Sequence, residues 1–184
     1  NARFRQLIVA FGSKLARLET YVEVEGDGAD VALNGVYLCD VGRHADLTSV
    51  VHHKVSHAET TQLIKGAVRA GGRGVFQGKF LVDRAAQKTN AQQHHHALLL
   101  VEGADADAKP ELEIYADDVA CAHGNTVGAL DEAALFYMRA RGIPAPTARA
   151  LLIRAIRQEA LPEWLPEAEA HSLEARLDAW LEAR

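Results

Sequence analysis

A thiol and an imidazole stand two residues apart at Cys121 and His123, inside the run Ala120-Cys121-Ala122-His123-Gly124. In an extended segment the side chains of residues i and i+2 leave on one face, so a single metal ion or sulfur atom can touch both groups. The same spacing also fits a small buried cysteine followed by a polar residue at a strand end. Spacing alone leaves both readings open.

The remaining chemistry-bearing residues are less well arranged. His52 and His53 are adjacent and face opposite ways in a strand, and His57 joins them only through a turn. His94, His95 and His96 form a run. Zinc sites usually bring three or four spaced ligands, so solvated strand edges explain these histidines more simply. Gly71-Gly72-Arg73-Gly74 lacks the strand-loop-helix setting and the Lys-Ser/Thr pair of a phosphate cradle, and reads as a tight bend. Asp117 and Asp118 are adjacent and point apart, which weakens an acid and base pair there.

The elements that must position Cys121 and His123 change character within Lys109–Gly128. Before the pair, Leu112, Ile114 and Ala116 alternate with Glu111, Glu113 and Tyr115, the period of a strand with one covered face. Run on unbroken, that alternation turns Ala120 and Ala122 inward and Val119, Cys121 and His123 outward. A bend at Asp117-Asp118 reverses the faces. Upstream, short strand-favouring segments such as VALNGVYLC, TTQLIKGAV and GRGVFQGKFLV are punctuated by glycine. Asn34-Gly35 is the one clear hairpin signal. Many short strands without crossover helices suggest stacked coils of a parallel β-helix, with a two-sheet sandwich as the alternative.

Downstream the period becomes helical. Asp131 caps a helix through Leu135, Met138 and Arg141, stopped by Gly142 and Pro144. Thr147 is placed to cap a second, carrying Ala148, Leu151, Leu152, Ala155 and Ile156, and Leu173, Leu177, Trp180 and Leu181 mark a third. The division is therefore a mainly β core over 1–128 and a small C-terminal α-helical domain over 129–184, seated on the last coil. Such helices either cap the open end of a solenoid or present a surface to another subunit.

The 184 residues carry a net charge of -5 and no basic run, which argues against nucleic acid as a main partner. Two cysteines, Cys39 and Cys121, are too few for a disulfide framework and suit a reducing compartment. No apolar run approaches the ~20 residues that span a bilayer. The first residue is Asn1, so a fragment of a longer protein is expected.

The segments PELEIYADDVACAHGNTVG and LFYMRARGIPAPTARALLIRAI resemble the C-terminal part of the SufB/SufD family of iron-sulfur cluster assembly subunits. Ala-Cys-Ala-His-Gly favours its SufD branch. The resemblance implies a right-handed parallel β-helix followed by a small helical domain, acting as a non-catalytic scaffold in the cytoplasm. It implies pairing with a SufB-like subunit at the end of the β-helix, docking of a SufC-like ATPase on the C-terminal helices, and a homodimer as a further option when the chain is isolated. His123 would face the nascent cluster as a metal ligand, with Cys121 beside it. The cluster would be transient and shared with the SufB-like partner, with none resident in the isolated fragment. Thiolate is the soft ligand that iron and sulfide favour, and imidazole is a tolerable second ligand. Arg139, Arg141, Ile143, Arg149 and Leu152 would contact the ATPase, unless Ile143 and Leu152 pack the helices together and leave only the arginines outside. A carbohydrate-active or acyl-transfer enzyme on a β-helix is the alternative from another class.

Overall fold

A computed structural model describes residues 2–11, 13–158 and 161–182; the side chains of 155–158 and 182, including the expected helical positions Ala155 and Ile156, lie outside the described residues. Among the described residues, nine strands precede three helices. The strands are β1 (Arg3–Ala10), β2 (Ala16–Val24), β3 (Asp30–Cys39), β4 (His44–His53), β5 (Glu59–Val68), β6 (Arg73–Val82), β7 (Asn90–Leu99), β8 (Asp105–Ile114) and β9 (Ala120–Ala129). Odd strands form one sheet in the order β1-β3-β5-β7-β9, and even strands form the other in the order β2-β4-β6-β8. Every pairing is parallel. Arg3 pairs with Asp30, Asp30 with Glu59, Glu59 with Asn90 and Asn90 with Ala120, steps of 27, 29, 31 and 30 residues. Each coil therefore contributes one strand to each sheet, and the chain is a flattened parallel β-helix. Its first three strands run eight to ten residues, close to the length of the segments read from the sequence.

The lumen is identified by clusters that mix the two sheets. Tyr37, Cys39, Ile64 and Val68 of the odd sheet pack with Ala45, Leu47 and Phe76 of the even sheet. Nearer the other turn, Val31, Leu33 and Ala91 pack with Val51 and Phe80. Burying side chains of this size stabilises the chain by roughly 1.5–3 kcal/mol each. The large rings are accommodated by glycine: a methyl group added at Gly66 or Gly74 would fall inside the Tyr37 ring. Asn34-Gly35 is likewise no hairpin. It lies within β3, paired to Leu7 and Ile8 on one side and Leu63 and Ile64 on the other. A Cβ at Gly35 would stand 2.6 Å from Ile64 Cδ1, so packing rather than a turn explains that glycine. Gly71, at φ +71°, does occupy the expected bend between coils.

The two outer faces differ. On the even sheet, ion pairs such as Arg17 with Asp46 and Arg73 with Asp105 run across neighbouring strands. On the odd sheet, Val36, Leu38, Ala67 and Leu98 are covered by the helices α1 (Glu132–Ala140), α2 (Ala145–Gln158) and α3 (Glu167–Glu182) through Leu135, Ala148, Ile153, Leu177 and Trp180. Arg69 fastens this layer, stacking 4.1 Å from the Trp180 ring centroid and donating to the Trp180 and Leu181 carbonyls at 2.9 and 3.1 Å. The helices thus lie against the flank of the solenoid instead of capping its last coil. The reason is a stripe of apolar residues that becomes continuous only when β3, β5 and β7 stack.

Locally, the helix signals hold at α1, where Asp131 Oδ1 accepts from the Ala133 and Ala134 amides at 2.8 and 3.1 Å and Gly142 adopts φ +84°. Thr147 is not a cap, because α2 already begins at Ala145. Proline 146 is tolerated in that first turn, where its missing N–H has no intrahelical partner to lose. Among the described residues no helix is long and apolar enough to cross a membrane.

Candidate functional site

The faces of Cys121 and His123 are set by the turn before β9. Residues 117 and 118 form a bend. The Asp118 amide donates to Gln87 Oε1 at 2.9 Å, its carbonyl accepts from the Lys88 amide at 2.6 Å, and its carboxylate pairs with the Lys88 ammonium. The bend breaks the alternation inherited from Leu112 and Ile114. Cys121 pairs in register with the fully buried Ala91, and His123 with the fully buried Gln93. Both therefore occupy the lumen face, and the outward placement expected from unbroken alternation is corrected. They are nevertheless reachable. The last strand of its sheet, β9 is paired on one side only, and β8 ends the other sheet. Cys121 is half-buried and His123 exposed.

Burial pushes the Cys121 thiol above the usual cysteine range, more strongly than the hydrogen bond involving the Ala91 backbone lowers it. The thiol is accordingly neutral at pH 7 until a metal ion or another positive charge displaces its proton. Behind His123 a chain of buried side chains runs through the lumen: Gln93 Nε2 donates to Gln62 Oε1 at 2.9 Å, and Gln62 Nε2 donates to Ser49 Oγ at 2.7 Å. Gln93 Oε1 has no hydrogen-bond partner among the described residues.

Two places further along β9, Asn125 Oδ1 lies 2.7 Å from His95 Nδ1, and His95 Nε2 lies 2.9 Å from the Tyr37 hydroxyl. The His95 ring lies nearly parallel to those of Phe76 and Tyr37, with centroids 5.0 and 5.9 Å away. Burial drives its pKa below the ordinary histidine range against the opposing hydrogen bond to Asn125. Burial also drives the Tyr37 hydroxyl upward, so both are neutral at pH 7.

The other histidines divide as alternation dictates, but not all lie on solvated edges. His53 is fully buried, edge-on to Phe80 at 6.1 Å, with burial lowering its pKa to about 4. His52 points outward to Asp83 at 2.9 Å. His94 and His96 share the outer face with parallel rings 6.3 Å apart, and His96 Nδ1 is 2.6 Å from Thr126 Oγ1. His57, at φ 56°, sits in a turn 3.4 Å from Asp27. Among the described residues no three or more His, Cys, Asp or Glu side chains converge as a cation site. As a metal site, the Cys121–His123 pair would offer two ligands and would need others from elsewhere.

The residues expected at an ATPase contact separate into two groups. Arg139, Arg141 and Arg149 are exposed, with the Arg141 guanidinium 3.3 Å from the Tyr137 ring centroid and Arg149 Nη1 donating to the Leu100 carbonyl at 3.0 Å. Ile143 and Leu152 are half-buried against the flank cluster. The sequence reading missed Phe136, 74% exposed, and Tyr137, 57% exposed, both on α1. Their signal was available, since they follow the core position Leu135 by one and two places and so rotate by ~100° and ~200° away from it. Gln93 and Asn125 were also missed. Nothing local marks either, because each matters through a residue on a neighbouring strand.

Residues 1–156 match the family described as SUF system FeS cluster assembly, SufBD core domain. The chain is 35% identical over 148 residues to the iron-sulfur cluster assembly protein SufD of Escherichia coli, covering 80% of this chain and 35% of that protein. It is 36% identical over 176 residues to an iron-sulfur cluster assembly SufBD family protein of Synechocystis, covering 96% of this chain and 38% of the relative. A chloroplastic protein of Arabidopsis thaliana is 37% identical over 157 residues, covering 85% of this chain and 33% of the relative. The chain spans about a third of the length of these relatives.

Proposed function

The chain belongs to the SufBD family of SUF iron-sulfur cluster assembly proteins and is SufD-like, and from that premise we propose that it is a non-catalytic scaffold whose β9 end holds one side of a nascent cluster. The reading is carried by the placement of Cys121 and His123 on the lumen face of the terminal strand, where the next coil is missing. His123 is the metal ligand and Cys121 its soft neighbour, with the remaining ligands supplied by a SufB-like subunit seated on the open end. A site with two ligands from one chain suits a cluster that is built and then passed on, since each subunit alone binds it weakly. The cluster is cargo, and the isolated chain retains none. A second copy at the same open end would give a homodimer. The free thiols suit the cytoplasm.

The SufC-like ATPase docks on α1 and α2. Arg139, Arg141 and Arg149 supply charge and the exposed Phe136 and Tyr137 supply apolar anchors, whereas Ile143 and Leu152 shape the surface from beneath. Movement of the ATPase would reach the β-helix through the flank contact of α3, Trp180 and Arg69.

The test is anaerobic assembly from ferrous iron and sulfide in the complex with SufB-like and SufC-like partners. His123→Ala is expected to abolish the cluster absorption while complex formation persists. Phe136→Ala with Arg139→Glu is expected to weaken ATPase capture and leave partner pairing intact. Normal cluster yield in His123→Ala would remove the ligand role.

A further inference from the structure

The chain of hydrogen bonds Tyr37–His95–Asn125 has a direction, and the direction fixes what it presents at β9. Asn125 Oδ1 can only accept, so His95 Nδ1 carries the hydrogen and donates at 2.7 Å. A neutral imidazole then has Nε2 as its acceptor, and the Tyr37 hydroxyl donates to it at 2.9 Å. The carboxamide is thereby held by its oxygen. Its two Nδ2 hydrogens are left at the exposed edge, on the lumen face shared with Cys121 and His123.

A buried His95 needs only an acceptor at Nδ1. A carboxamide meets that need and adds two donors that His95 does not use. The relay is also costly to house, since Gly66 and Gly74 on opposite sheets must both lack side chains to admit the Tyr37 ring, and glycine weakens a strand relative to alanine.

We propose that Asn125 is a third residue of the site: a neutral N–H donor to the sulfide or thiolate sulfur of an iron-sulfur species at His123, aimed by His95 and Tyr37. This rests on the reading of Cys121 and His123 as a cluster site. Hydrogen bonds to cluster sulfur offset negative charge, slow loss of iron and raise the reduction potential. Tyr37 and His95 are positioning residues and do not touch the cargo.

The experiment compares wild type with Asn125→Asp, Asn125→Ala, Tyr37→Phe and His123→Ala in the partner complex, loaded anaerobically with ferrous iron and sulfide. Asn125→Asp keeps the acceptor for His95 and removes both donors. It is expected to release iron to a chelator about tenfold faster and to lower the reduction potential. Tyr37→Phe is expected to do the same more weakly, since it loosens the relay but leaves the donors. Wild-type release and potential in Asn125→Asp, beside a failed His123→Ala, overturn the proposal alone. Normal assembly in His123→Ala overturns the underlying site and the proposal with it. If Asn125→Asp lowers the unfolding midpoint, the decision passes to Asn125→Ala, whose wild-type iron release would overturn the proposal.

Discussion

One strand apart, the same lumen column seals one residue and opens the next. Gln93 is fully buried on β7 while His123, its register partner on β9, is exposed; the same step turns the fully buried His95 into the exposed Asn125. The cysteines repeat the contrast. Cys39 lies in the middle of the solenoid with its thiol pushed up to about 11 by burial, and Cys121 lies half-buried at the end. The segments do not differ in kind, for all are ten-residue strands with inward polar and apolar side chains. What differs is whether another coil follows. Lumen side chains become reachable here because the repeat stops.

The largest test of that contrast is thiol labelling. Cys121 is expected to react with a maleimide in the native chain. Cys39 should react only through unfolding, at least about a thousandfold slower for a domain of ordinary stability. Comparable native rates would show the middle coils to be open. Next in size, Phe80→Ala in the middle coils should cost about 3–5 kcal/mol in denaturant unfolding, whereas Val127→Ala on β9 should stay within about 0.5 kcal/mol. Equal losses would mean that β9 is packed as tightly as the interior.

The smallest of the three effects is the pH dependence. His53 is lowered from 6.5 to about 4 by burial, with His52 adding to the shift. Because the folded pKa lies below the unfolded one, the stabilisation is full above about pH 6.5 and is lost as pH falls toward 4, where the unfolded chain binds the extra proton. The loss is roughly 3 kcal/mol over that window. Burial shifts His95 in the same direction. His53→Phe should flatten this part of the stability profile. An unchanged profile in His53→Phe would contradict the buried neutral ring.

Much of the strand content was legible because glycine and β-branched residues act locally, and the Asp131 cap and the Gly142 stop are written within a few residues of each other. The Cys121–His123 spacing was legible for the same reason, since two residues on one strand share a face whatever surrounds them. Asn34-Gly35 misled because a glycine admitting Ile64 and a glycine turning a hairpin look alike in one dimension. The burial of His53 and His95 was hidden because alternation says that neighbours face apart, not which one enters the lumen. The flank docking of the helices was hidden too, since Leu38, Ala67 and Leu98 are about thirty residues apart and form one stripe only in register.

By itself, then, the amino-acid sequence determined the repeating strands, the three helices and a thiol and imidazole on a common face. These depend on φ/ψ preference, capping and side-chain alternation, all of which act over a few bonds. The tertiary structure alone decided that this face is the lumen, that the lumen is open at β9, and that Asn125 is held by His95 and Tyr37. Those facts depend on the Asp117–Asp118 bend and on stacking of residues one coil apart, where a shift of a single residue would exchange every inward side chain for an outward one.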